Sequence, residues 1–257
     1  MFGKRNRQPA QPPQGSGDDL GGTSSGGTSS GGAKFPWGDD PACIACNLAA
    51  GNLANNLASW VEREGRVHAE TYVAASGAIA GYAAQQSLSA QDSSVPLQVV
   101  TSSSGEKYLF GDPLNDMFFA RTEAETTGRV WPRAAGTAMS LGVPLSRLPG
   151  TDDMFSHVSQ SLGGPLEGRP STGPAHQPIV PVRQLLALCW PNVARLFKAD
   201  FDEVHRGFGP VPPDWWCAVA ASATSRPITD VKDVLDPVIA LTILMESAIY
   251  ASKLTDL

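Results

Sequence analysis

Residues 67–86, VHAETYVAASGAIAGYAAQQ, decide how this chain is read, because they are apolar on nearly every side yet built almost wholly from small side chains. A membrane span needs about 20 consecutive apolar residues. Tyr72 to Ala84 gives a shorter run of weak hydrophobes, and Arg66, His68 and Glu70 stand directly before it, so a span is rejected. Gly77 and Gly81 form G-x-x-x-G, with Ser76, Ala80 and Ala84 as a second small-residue row, which lets a partner backbone approach closely. Alanine content favours a helix over about 66–88. The partner is expected either in the same chain, making this a central core helix, or on another subunit.

The best partner within the chain is VIALTILMESAIYA, residues 238–251, which follows the helix-start pair Asp236-Pro237. It is apolar around most of its circumference, and Thr242, Glu246 and Lys253 fall on one face as a narrow polar strip that solvent is expected to wet. The alternative puts Glu246 in the interior beside His68 or Glu70.

Working outward, Asp40-Pro41 and the spacing of Leu53, Leu57, Trp60 and Val61 predict a helix over about 41–63, ended by Gly65. Residues 97–101 and 107–110 alternate β-formers around a Ser/Gly turn and predict a hairpin. Asp112-Pro113 marks another helix start, and further helices are expected near 130–141, 152–162, 181–197 and 214–225. Residues 163–180, GGPLEGRPSTGPAHQPIV, are too rich in Gly and Pro for anything but a long irregular loop. Residues 1–34 carry a repeated GGTSS and read as a disordered tail, whose basic tip at Lys4, Arg5 and Arg7 would suit a tether. The fold class is therefore mainly α with one small hairpin, a single multi-helix domain over 35–257 around the small-residue helix.

Composition excludes several functions. With 19 Lys plus Arg against 25 Asp plus Glu, the chain lacks the basic stripe that phosphate binding requires, and nucleic acid is not an expected partner. The N-terminal stretch has no apolar segment followed by a cleavage pattern, and Cys43, Cys46, Cys189 and Cys217 are too few for a disulfide framework, so a cytoplasmic setting is expected. The GTSSG repeats match G-x-S-x-G formally, but no strand and helix flank them as a nucleophile elbow needs. Phosphate-binding glycine loops are absent from the sequence.

Cys43-x-x-Cys46 raises a redox dithiol or half a zinc site, but no strand precedes it and no compact second ligand pair follows, so small apolar cysteines on a buried helix face are expected. His68 and Glu70, two apart, should diverge if both lie on a helix. His157, His176 and His205 read as hydrogen-bonded structural groups. Trp215 and Trp216 open a helix, one facing the core and Trp215 the candidate contact anchor.

Two functions follow as expectations. The first is a cytosolic non-enzymatic interaction or adaptor module without metal or cofactor, associating with itself or a protein partner through Gly77, Gly81 and Trp215. The second is a small-molecule binder or enzyme with a pocket near His68 and Glu70, helped by Glu246 and covered by the 163–180 loop.

Overall fold

The computed structural model describes residues 43–91, 96–120, 122 and 128–256. The tail over 1–34, together with Asp40 and Pro41, lies outside the described residues.

Helix α1 (Cys43–Val61) turns Cys46, Ala49, Leu53 and Leu57 inward at helical spacing. A tight turn follows, in which Arg63 and Arg66 exchange backbone hydrogen bonds of 2.9 Å and Glu64 and Gly65 take φ of 52° and 73°. Only then does α2 (Ala69–Gln91) begin, three residues later than the alanine pattern alone predicts.

Helix α2 is the centre of the domain, buried from Glu70 to Leu88 apart from Tyr82 and Gln86. Its closest neighbour is α10 (Pro237–Ser252), capped by Asp236, whose carboxylate accepts from the Val238 amide at 2.7 Å. Gly77 lies against the Leu244 carbonyl and Gly81 against that of Ala248, so the helices run parallel with backbones touching. The register continues to Gln85, whose amide donates to the carbonyls of Ser252 (3.0 Å) and Leu254 (2.6 Å) and so satisfies groups that a helix end leaves unpaired. The inter-helix surface of Gly77 and Gly81 thus packs on α10 of the same chain.

Around this pair pack α4 (Val130–Ser140), α5 (Thr151–Ser161), α6 (Val182–Phe197) and α8 (Trp216–Ala223). Pro132 sits in the first turn of α4, where its missing N–H costs nothing. Among the described residues, the chain after Asp112-Pro113 gives the short α3 (Asp112–Asp116). Two short helices, α7 (Glu203–Phe208) and α9 (Ser225–Asp230), were not foreseen from the sequence. No described helix is long and apolar enough to cross a membrane.

The hairpin pairs β1 (Gln98–Thr101) with β2 (Lys107–Phe110), Gln98 opposite Phe110 and Thr101 opposite Lys107. It is anchored to the end of α10: the Leu109 amide donates to the Lys253 carbonyl at 2.8 Å, and Tyr108 bridges to Leu254.

Candidate functional site

His68 stands just before α2 and caps it. The Thr71 amide donates to His68 Nδ1 at 3.4 Å, which leaves Nε2 to carry the proton and face Glu70 at 3.4 Å. The expected divergence of His68 and Glu70 is therefore corrected, because the histidine is outside the helix and its ring folds back. Glu70 also meets His176 Nδ1 at 3.1 Å. Glu246 belongs elsewhere: it is buried, as the alternative reading had it, but against the Ser171 amide and the Ser171 hydroxyl (2.7 Å), with His157 Nε2 at 4.0 Å. Burial drives its pKa up despite the Ser171 hydrogen bonds and His157.

What the two carboxylates share is the 163–180 loop, a strap tied down along its length. Besides the ties to Glu70 and Glu246, the Ile179 amide donates to Thr71 Oγ1 at 3.1 Å. Glu167 accepts from Tyr250 (2.6 Å), Tyr108 (2.7 Å) and the Gly163 amide (2.9 Å). Burial alone would raise the Glu167 pKa, but these hydrogen bonds and Arg183 hold it below the usual range. Further ties run within the strap and to α5: Thr172 Oγ1 donates to the His176 carbonyl at 2.7 Å, and His157 Nε2 donates to that of Arg169 at 2.8 Å. Replacing Glu246 by alanine strands the Ser171 amide, so its hydrogen exchange should quicken by about tenfold or more. Unchanged exchange at Ser171 would mean that the tie to Glu246 does not hold the strap.

The remaining sequence candidates are structural neighbours. Cys43 and Cys46 are buried on the inner face of α1, and no group of three or more His, Cys, Asp or Glu among the described residues is placed to hold a metal. Cys189 and Cys217 are buried too, and their thiols are pushed up to about 12, the reverse of a reactive cysteine. His205 is held between Asp202 (2.7 Å) and Asn52 (3.2 Å). Trp215 packs half-buried on the core, and Trp216 donates to the Val211 carbonyl at 3.0 Å.

Lys253 is the group that sequence reasoning missed. It was expected on a wetted strip, yet the residue is only 2% exposed. The backbone fixes it on both sides, its amide donating to the Tyr250 carbonyl at 3.0 Å and its carbonyl taking the Leu109 amide. The ammonium lies 4.3 Å from the centre of the Phe110 ring. Among the described residues no carboxylate or carbonyl pairs with it, and burial alone brings its pKa down to about 8. Lys253 and Phe110 line an open cleft of about 480 Å³, walled also by Phe119 and Phe155 and edged by Asp116 and Asp152. The Phe119 and Phe155 rings are 5.8 Å apart and tilted by 47°, so the wall is a packed aromatic surface. The sequence carries only a weak signal of this: Lys253 directly follows a helix that is apolar around most of its circumference.

Comparison with family models, curated proteins and solved structures found no match to this chain.

Proposed function

We propose that the protein binds a small molecule, one with an apolar ring or chain and an oxygen acceptor, in the cleft lined by Lys253. The observation that carries this reading is a buried ammonium, with no carboxylate or carbonyl partner among the described residues, on an open cleft with aromatic walls. Withdrawing an ammonium from water costs several kcal/mol unless it is paired. A ligand oxygen supplies the missing partner, Phe119 and Phe155 cover the apolar body, and Asp116 and Asp152 accept from any ligand donor at the rim.

The interaction-module reading has less support, since Gly77 and Gly81 are occupied by α10. A reducing, cytoplasmic setting goes with the ligand-binding reading, in keeping with a chain of this length that has only four cysteines.

Benzoate tests the cleft directly, since it combines an aromatic ring with an oxygen acceptor. Titrated into ring-labelled protein, it should shift the Phe110, Phe119 and Phe155 resonances and raise the melting temperature as bound ligand accumulates. In Lys253→Met both effects should weaken by tenfold or more in concentration. If millimolar benzoate leaves the three rings undisturbed in the native protein, the cleft is not a binding site for this chemistry.

A further inference from the structure

We infer that Lys253 is a carbonyl-capturing amine, and that the cleft takes a small aldehyde or ketone with an apolar body, held as an imine. This rests on the cleft being a ligand site, and it specifies the chemistry there. Three features of the geometry point the same way.

First, the Lys253 side chain is almost wholly buried, its ammonium lies 4.3 Å from the centre of the Phe110 ring at the cleft, and no carboxylate among the described residues pairs with it. A lysine retained as a permanent charge is normally paired when buried; an unpaired one in an apolar setting is prepared to shed its proton. Second, its Cα is not free to withdraw, because the Lys253 backbone joins the end of α10 to β2. Third, the surroundings suit an uncharged electrophile: the Phe119 and Phe155 walls accept its body. With its pKa brought to about 8, roughly a tenth of Lys253 is neutral at pH 7, about 300-fold more than for an ordinary lysine.

The step balances without any oxidant or reductant. The Lys253 lone pair attacks the carbonyl carbon, and the carbonyl oxygen takes up a proton. The resulting carbinolamine loses its nitrogen proton and its hydroxyl, the latter leaving as water, and the C=N bond forms. Hydrolysis runs the same path backwards, so capture is reversible.

The test uses benzaldehyde with cyanoborohydride at neutral pH on the full chain, followed by intact mass measurement and peptide mapping. Lys107, Lys198 and Lys232 are exposed and serve as internal controls, and mapping separates Lys253 from the chain's α-amino group. The expected result is one benzyl group per chain, on Lys253, at least about tenfold faster than on the exposed lysines, and suppressed by benzoate. Lys253→Arg keeps the charge and should lose this label while still responding to benzoate. Labelling spread over the exposed lysines with Lys253 unmodified, while benzoate still binds the cleft, overturns the imine inference and leaves the binding reading standing. If neither benzoate nor benzaldehyde engages the cleft, both are overturned.

Discussion

Gly81→Ala should destabilise the domain by more than about 3 kcal/mol, with Gly77→Ala close behind. A methyl group on Gly81 would fall on the Ala248 carbonyl, and one on Gly77 on that of Leu244. Both obstacles are backbone atoms inside a helix, so no side chain can rotate away, and the relief available is for α2 and α10 to separate. That separation opens the most extensively buried contact in the domain and loosens the Gln85 hydrogen bonds that close the end of α10. Gly51 provides the contrast within the same protein. It lies in the middle of α1 with nothing within 4 Å of where its Cβ would be. Gly51→Ala should therefore stabilise by about 0.5–1 kcal/mol, the ordinary helix-propensity gain. Urea unfolding of the three variants checks the pair of effects. A Gly81→Ala protein within about 1 kcal/mol of the parent would mean that the two backbones do not touch as described.

The same helix pair shows how far the sequence could be read. Spacing of small residues in α2 and an apolar run in α10 are local patterns, and both report directly on close packing, so the mainly helical fold with its central small-residue helix was legible. The fate of the charges was not. Thr242, Glu246 and Lys253 make a strip on a helical wheel, but whether water reaches a strip depends on what lies across it. Ser171 covers Glu246 from 75 positions away. The hairpin covers Lys253 from a still greater distance along the chain, and no local pattern encodes either contact. His68 and Glu70 failed for a smaller reason: placing the helix start at 66 instead of Ala69 puts the histidine on the helix and turns the two side chains apart. The strap's composition correctly announced irregular backbone. Its ties come from Glu70, Thr71 and Glu246, whose own segments give no hint of them. Helices α7 and α9 are too short for periodicity, and Pro227 further masks α9.

Lys253→Met should raise stability at pH 7 by about 2–3 kcal/mol, an unusual direction for a buried substitution. Methionine keeps the length and apolar stem of lysine and has no charge to desolvate. The gain should depend on pH in a defined way. Lys253 binds its proton less tightly folded, near pH 8, than its ordinary value of 10.5. Between those values the unfolded chain holds more protons, so the parent gains stability as pH rises and the advantage of methionine shrinks, disappearing above about pH 10.5. Below pH 8 both states are protonated and the full penalty applies. Tyr72, Tyr108 and Tyr250 also titrate late because they are buried, but they do so equally in both proteins and drop out of the difference. Urea unfolding of the two proteins at pH 7 and near pH 10 measures it; a difference that is the same at both would show that the cost is not one of protonation. A domain stable by only about 5–15 kcal/mol that keeps such a burden when methionine would remove it is holding an amine at the cleft against its own stability. A ligand bound in the cleft would relieve that penalty, either by accepting a hydrogen bond from the ammonium or by taking the amine's lone pair.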